Sequence, residues 1–161
     1  GYNIFTSLQM ANATSIIANR GVMIKPRLFK GSREFNSSEF TYGKPVSQGK
    51  LNIQKEWFDF VIDAMEEVNK SGTASRVFGN ARYPVAGKTG TAQVFTIKQD
   101  EEYDSEKVPE RLKDHSLYIG FAPVDKPEIA VAVVVENGGF GVTTATPIAK
   151  LVFDFYLAKK R

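Results

Sequence analysis

Apolar residues recur at helical spacing in three segments of the chain. The first segment follows Thr6, which forms a Thr-x-x-Gln capping box with Gln9. The second extends from about Gln54 to Asn69. The apolar stripe on this second helix contains Trp57, Phe58, Val61, Met65 and Val68. The third has Thr146 as its predicted N-cap and Pro147 at its first position. The predicted buried face of this last helix contains Ile148, Leu151, Val152 and Phe155.

Three consecutive strands are predicted between the second and third helices. They extend over residues 85–96, 115–122 and 128–136. In the third strand every residue between Glu128 and Glu136 is Ile, Val or Ala, which predicts a central strand buried on both faces. The short Pro-Val-Asp-Lys-Pro turn at 123–127 favours an antiparallel meander. The sequence therefore predicts an α/β (α+β) fold in which an antiparallel sheet portion is flanked by helices.

Three other segments lack a periodic pattern. Residues 30–50 are polar and rich in Gly and Pro, which predicts irregular structure. Residues 97–114 are strongly charged and are predicted to form a long excursion between two strands. Residues 137–141, Asn-Gly-Gly-Phe-Gly, are predicted to form a flexible glycine loop.

Composition narrows the functional classes. The chain has 161 residues, enough for one domain, and a net charge of +3, which is too mild to indicate a nucleic-acid partner. The absence of cysteine excludes disulfides and thiolate metal sites, and the single histidine, His115, cannot form a multi-histidine centre. The acidic residues of the second helix fit a solvated face. We therefore expect neither a metal nor a cofactor.

The segment Gly87-Lys88-Thr89-Gly90-Thr91 carries the candidate chemistry. In a strand, Thr89 and Thr91 share one face and Lys88 projects from the other. Gly90 leaves room for a ligand or another backbone. Two hydroxyls and free N–H groups beside an ammonium suit a substrate that has a carboxylate and an amide carbonyl. The candidate site residues are therefore Lys88, Thr89, Gly90 and Thr91.

A nucleotide site does not fit this motif. A phosphate-binding loop of the type Gly-x-x-x-x-Gly-Lys-Thr needs glycine at position 82, which is Arg82. Such a loop also opens a helix, whereas the residues after Gly90 favour a strand.

Three further motifs receive structural interpretations. Ser47-Gln48-Gly49-Lys50 matches Ser-x-x-Lys, but a nucleophile of this type needs its lysine one helical turn away, and this stretch is loop-like. Lys70-Ser71-Gly72-Thr73-Ala74 is predicted to be a helix terminus and loop. No nucleophile with a supporting signature accompanies His115, so it is interpreted as a structural residue at a strand start.

The ordered motifs resemble the transpeptidase domain of class B penicillin-binding proteins, most closely the cell-elongation type, penicillin-binding protein 2. Lys-Thr-Gly is a signature of penicillin-binding proteins and class A β-lactamases. The segments that carry the resemblance are 6–11, 83–94, 114–123 and 129–141. The resemblance implies that residues 1–161 are the C-terminal part of one transpeptidase domain, with no second domain. The nucleophilic Ser-x-x-Lys and the Ser-x-Asn triplet would precede this part.

In this family the parent enzyme would cross-link peptidoglycan stem peptides ending in D-Ala-D-Ala through a serine acyl-enzyme, and β-lactams would acylate the same serine. Lys88 would lie beside the proton-relay groups, and the Thr89 and Thr91 hydroxyls would hold the carboxylate. The N–H of Thr91 would form part of the oxyanion hole. Gly90 would let the extended peptide pair with the strand edge. An ideal pleat does not aim Lys88 and both threonines into one cleft, so either strand twist reconciles them or one role is wrong.

The resemblance also implies partners and a location. The partners would be the N-terminal half of the domain, β-lactam antibiotics and the glycan polymerase of the elongation complex, at the periplasmic face of the bacterial inner membrane. A serine β-lactamase or β-lactam sensor fragment shares the strand motif, and a non-catalytic peptide-binding module remains the alternative from another class.

The chain on its own is predicted to hold one wall of the site and to turn over no substrate. Incubation with a β-lactam should therefore leave it without a covalent adduct in intact-protein mass spectrometry. Stoichiometric labelling would show that the nucleophile lies within these 161 residues after all.

Overall fold

The computed structural model describes residues 4–94 and 108–158. Their helices are α1 (Ser7–Ala18), α2 (Lys55–Lys70), α3 (Ser75–Phe78) and α4 (Ala145–Ala158), with a 3-10 turn at Glu110–Leu112. Their strands are β1 (Val22–Ile24), β2 (Gly31–Ser32), β3 (Thr41–Tyr42), β4 (Ser47–Lys50), β5 (Ala86–Ala92), β6 (His115–Ala122) and β7 (Ile129–Val135).

The main sheet is a meander with the order β5-β6-β7, and both strand pairs are antiparallel. Thr89 lies opposite Tyr118, which in turn lies opposite Val133, so these three residues share one face. Helices α1 and α2 cover the other face, and α4 covers this one. The predicted architecture of an antiparallel sheet flanked by helices is confirmed.

The prediction that the third strand is central is wrong. In the described sheet β6 is central and β7 is an outer strand whose residues are mostly half-buried. The continuous apolar run in β7 has a different cause, since α1 packs on one of its faces and α4 on the other. Helices on both faces therefore explain apolar residues on both faces of β7, whatever the place of the strand in the sheet.

Two hydrophobic clusters lie on opposite faces of the sheet. On the α4 face, Tyr118 and Phe153 are fully buried, and Phe78 stacks on the Tyr118 ring with centroids 5.5 Å apart. On the other face, Ile62 and Met65 of α2 pack with Phe121. Because helices α1 and α4 both contact β6, this strand is held between two helix layers.

Buried polar contacts tie α2 to β6 and to the residue before β5. The Tyr118 hydroxyl donates to Asn69 Oδ1 at 3.0 Å, and Asn69 Nδ2 donates to the Val85 carbonyl at 2.9 Å. The Tyr118 hydroxyl reaches Asn69 across Gly87, where a Cβ would lie 2.1 Å from it. Gly87, the residue before the Lys-Thr-Gly motif, is therefore needed for this contact.

A second polar contact joins the residues before β5 to α4. The Tyr83 hydroxyl donates to Asp154 at 2.5 Å, and Lys150 Nζ donates to the same carboxylate at 2.6 Å. Partial burial on its own would raise the pKa of Asp154, but the hydrogen bonds from Lys150 and Tyr83 outweigh it and hold that pKa below its usual value. Burial, followed by the Asp154 carboxylate, raises the pKa of Tyr83.

The predicted capping box of α1 is confirmed, since Gln9 N donates to Thr6 Oγ1 and Thr6 N donates to Gln9 Oε1. The second predicted helix is also present, as α2, but its buried face differs from the predicted stripe. Trp57 and Val61 are exposed, whereas Ile62 is buried. The stripe predicted from spacing alone was therefore rotated relative to the face that packs on β5.

Two acidic residues of α2 form ion pairs. Asp59 pairs with Arg20 at 2.7 Å and also with Lys55, and Glu66 pairs with Lys70 at 2.9 Å. These contacts fit a structural and solvated role for this acidic face.

The last helix differs from its prediction in two ways. It begins at Ala145, and Thr146 is buried and donates its hydroxyl to the Gly141 carbonyl at 2.8 Å, so Thr146 is not the N-cap. The four residues predicted to be buried are instead exposed: Ile148, Leu151, Val152 and Phe155. The buried face carries Ala145, Ala149 and Phe153, whose small alanines bring the helix close to the sheet.

Two of the segments predicted to be irregular or flexible are more ordered than predicted. Residues 31–50 contain β2, β3 and β4, and β4 pairs with β1. Residues 137–141 are fixed by hydrogen bonds, including one from Gly139 N to the Asp114 carbonyl at 2.8 Å. Most of the charged excursion predicted over 97–114 lies outside the described residues.

The Tyr118→Phe substitution should lower the free energy of unfolding by about 1–3 kcal/mol, because it leaves Asn69 Oδ1 buried without its donor. The matched control Tyr83→Phe should cost less than about 1 kcal/mol, because Asp154 is partly exposed and keeps Lys150. Urea denaturation of the three proteins measures both values. Equal costs would contradict the burial argument.

Asp154 should stabilise the fold in a pH-dependent way. Its folded-state pKa is lower than the ordinary 3.8, so the stabilisation is complete above that pH and is lost as the pH falls through the folded-state value. The measurement is the difference in unfolding free energy between wild type and Asp154→Asn as a function of pH. A difference that grows under acidic conditions would have the wrong sign.

Candidate active site

The Lys-Thr-Gly motif lies on an outer strand. In the described sheet β5 pairs only with β6, and its other edge is open. Lys88 and Thr91 are exposed, and Thr89 and Gly90 are half-exposed. The motif is therefore part of a strand with one unpaired edge in the described sheet. An extended substrate requires such an edge, because it pairs with a strand through main-chain hydrogen bonds.

The pleat keeps Lys88 and the two threonines on opposite faces, as alternation predicts. Thr89 and Thr91 face α4 together with their partners Tyr118 and Ser116. The Lys88 ammonium nevertheless lies 2.7 Å from the Thr89 carbonyl oxygen, to which it donates. The length of the lysine side chain allows the charge to lie beside the Thr89 carbonyl although Lys88 is on the opposite face.

The same contact indicates which main-chain groups point to the open edge. In an antiparallel ladder, alternate residues direct both N–H and C=O away from the paired strand. Because the ammonium reaches the Thr89 carbonyl, we infer that Thr89 is such a residue, and Thr91 follows two positions later. The open edge then presents the main-chain groups of both threonines beside one ammonium.

The segment 137–141, here called the β7–α4 loop, closes over β5 on the α4 face. Gly141 N donates to Thr91 Oγ1 at 3.3 Å. A Cβ at Gly141 would lie 2.3 Å from the Gly90 carbonyl oxygen, so the two backbones are in close contact. Gly90 was predicted to admit a close backbone, and on this face the backbone that approaches it belongs to the same chain.

Two residues at the start of β6 anchor this loop. Ser116 is fully buried, donates to the Phe140 carbonyl at 3.0 Å and accepts from Ala145 N at 2.9 Å. His115 Nδ1 accepts from Asn137 N at 2.9 Å, which agrees with the structural role predicted for this histidine. The loop is thus held at both ends beside Thr91.

The other sequence motifs form no site. Ser47 and Lys50 lie in the exposed strand β4 and not in the first turn of a helix. Lys70 is the last residue of α2 and Ser71 is its C-cap, which confirms the predicted helix terminus. Residues 87–91 form a strand, which excludes the phosphate-loop geometry.

One cavity in the described part of the chain lies away from β5. Its volume is about 600 Å³, and it is lined by residues around the Tyr83–Asp154 contact, including Arg82 and Leu157. Over residues 4–94 and 108–158, no group of three or more His, Asp or Glu side chains could hold a metal ion. Within the same ranges, no helix has the length and apolar character to cross a membrane.

A model of the penicillin binding protein transpeptidase domain matches residues 4–154. The chain belongs to this transpeptidase family. It is 42% identical to peptidoglycan D,D-transpeptidase MrdA of Acinetobacter baumannii over 158 residues, and 36% identical to the protein of the same name from Haemophilus influenzae over 163 residues. These alignments cover 97% and 99% of this chain but 23% and 25% of the relatives, so the chain spans about a quarter of their length.

Solved structures of penicillin-binding proteins share the fold. Pseudomonas aeruginosa PBP2 in complex with WCK 5153 matches with a TM-score of 0.74 at 33% identity, over 98% of this chain and 31% of that one. The ceftriaxone acyl-enzyme complex of penicillin-binding protein A from Mycobacterium tuberculosis matches with a TM-score of 0.72 at 26% identity, over 93% and 32%.

Sequence reasoning missed the residues that surround the transpeptidase-family motif. Ser116 gives one weak signal, because it is a small polar residue on a strand face otherwise occupied by Tyr118, Gly120 and Ala122. Nothing in the sequence pairs Gly141 with Thr91, since they are 50 positions apart. Their contact depends on the β5–β6 register and on the path of the β7–α4 loop.

Proposed function

We propose that this chain supplies the carboxylate-binding wall of a peptidoglycan D,D-transpeptidase that acts through a serine acyl-enzyme. One observation carries the proposal: Lys88, Thr89 and Thr91 lie together on an open strand edge, with the ammonium 2.7 Å from the Thr89 carbonyl. Membership of the transpeptidase family over residues 4–154 supports it.

The residues have distinct roles in this proposal. The Thr89 and Thr91 hydroxyls donate to the carboxylate of the substrate, and the Lys88 ammonium adds positive charge beside the proton-relay groups. The main-chain N–H of Thr91 at the open edge stabilises the developing oxyanion, a contribution of about 2.7–4 kcal/mol for a preorganised donor. The extended stem peptide pairs with the edge of β5 beside Gly90.

The nucleophile in this proposal comes from another part of the same domain, of which residues 1–161 are the C-terminal part. Ser47 matches Ser-x-x-Lys, but it lies in the exposed strand β4 and not in a helix. This position supports a nucleophile from another part of the domain. The relatives are about four times as long as this chain. The exposed apolar face of α4, with Leu151 and Phe155, fits packing against such a part.

The proposed ligands are stem peptides that end in D-Ala-D-Ala and β-lactam antibiotics. Support comes from the names of the relatives, which include a peptidoglycan D,D-transpeptidase and a ceftriaxone acyl-enzyme complex. The proposed location is the periplasmic face of the inner membrane, with the elongation-complex glycan polymerase as a partner of the parent protein.

The test uses the complete transpeptidase domain that contains this chain. Thr89→Val and Thr91→Val should each slow acylation by a penicillin about tenfold or more, because each removes a hydrogen bond to a carboxylate. The matched control Thr41→Val alters an exposed threonine of β3 and should leave the rate unchanged. Stopped-flow or gel-based labelling gives the rate constants.

Two other results would contradict the proposal and indicate a different function. Binding of a D-Ala-D-Ala peptide without acylation of wild type by any β-lactam would indicate a peptide-binding module. Acylation followed by rapid hydrolysis of the antibiotic would indicate a β-lactamase.

A further inference from the structure

We propose that Gly141 is a positioning residue that acts through Thr91, and that its main-chain N–H orients the Thr91 hydroxyl towards the substrate carboxylate. This inference rests on the proposed function, because it concerns the carboxylate-binding wall. It assigns a role in substrate binding to the β7–α4 loop, which lies outside the Lys-Thr-Gly motif.

The first step is the hydrogen-bond capacity of a hydroxyl. Gly141 N donates to Thr91 Oγ1 at 3.3 Å, so this oxygen accepts on the side of the loop. A hydroxyl has one proton to donate, and an N–H neighbour offers it no acceptor. The Thr91 proton is therefore directed away from the loop, and because Thr91 is exposed, it is available to an external acceptor such as a carboxylate.

The second step is the space that the contact requires. A Cβ at Gly141 would lie 2.3 Å from the Gly90 carbonyl oxygen, 2.7 Å from the Leu117 carbonyl oxygen and 3.0 Å from Gly90 N. These are main-chain atoms of two paired strands, which cannot move aside like a side chain. Only glycine at this position brings the N–H within reach of Thr91.

The third step is the rigidity of the loop on both sides of Gly141. Before it, the Phe140 carbonyl accepts from the buried Ser116 at 3.0 Å. After it, the Gly141 carbonyl accepts both from Thr146 Oγ1 at 2.8 Å and from Thr146 N at 3.0 Å. The N–H is therefore held at a fixed place, as the support of a binding group requires.

The experiment measures carboxylate selectivity in the complete domain. The rate constant of acylation is determined with a penicillin and with its methyl ester, which lacks the negative charge. Gly141→Ala should slow the reaction with the free acid about tenfold. It should slow the reaction with the ester less than the reaction with the free acid, so that the acid-to-ester ratio falls, because a neutral ester forms no charge-assisted hydrogen bond.

A matched control separates this effect from backbone strain. A Cβ at Gly31 would lie 2.3 Å from the Thr41 carbonyl oxygen, the same overlap as at Gly141, but in the β2–β3 hairpin away from β5. Gly31→Ala should leave the ratio of the two rate constants unchanged.

A double-mutant cycle shows whether Gly141 acts through Thr91. In the Thr91→Val background, Gly141→Ala should change the acid-to-ester ratio by less than about twofold, since the group that it positions is gone. If Gly141→Ala does not fold, Ser116→Ala decides instead. It removes the anchor of the loop without adding volume and should lower the same ratio.

The outcomes distinguish this inference from the proposed function. Absence of acylation in wild type overturns both. A selective loss in Thr91→Val combined with equal slowing of acid and ester in Gly141→Ala overturns the positioning role and leaves the function standing. A selective loss in both variants, with no further loss in the double variant, supports the positioning role.

Discussion

The antiparallel register of β5 against β6 is the constraint on which the candidate site depends. In this register Gly87 lies opposite Gly120, Thr89 opposite Tyr118, and Thr91 opposite Ser116. A shift of one residue would turn Lys88 towards α4 and the threonines towards α1 and α2. Two contacts oppose such a shift: the Tyr118 hydroxyl reaches Asn69 across Gly87, and the β7–α4 loop contacts Gly90.

The site combines an open edge with a covered face. At the edge, the main-chain groups of Thr89 and Thr91 have no strand partner in the described sheet, and the Lys88 ammonium lies beside them. On the α4 face, Ser116 holds the loop that reaches Thr91. An extended ligand can therefore pair with the edge, while the covered face keeps the strand in place.

Apolar spacing predicted the presence of the long helices and of the strands of the main sheet, but it did not predict what each of them packs against. It identified β7 but suggested a central strand, because a residue that faces a helix layer needs to be apolar in an outer strand too. In α4 it favoured the large residues Leu151 and Phe155, whereas the structure buries the small Ala149 against the sheet. Close helix–sheet packing selects small side chains, which a pattern of hydrophobicity ranks low.

The sequence by itself determined the three long helices, the three strands of the main sheet and the chemistry of the motif. Capping at Thr6, the three strands and the alternation of Lys88 with Thr89 follow from local stereochemistry, which nearest neighbours along the chain decide. Only the tertiary structure decided that the Lys88 ammonium reaches the Thr89 carbonyl and that Gly141 contacts Thr91. The first depends on the rotamers of a long side chain. The second joins residues that are distant in the chain and meet only when the sheet and its loop have packed.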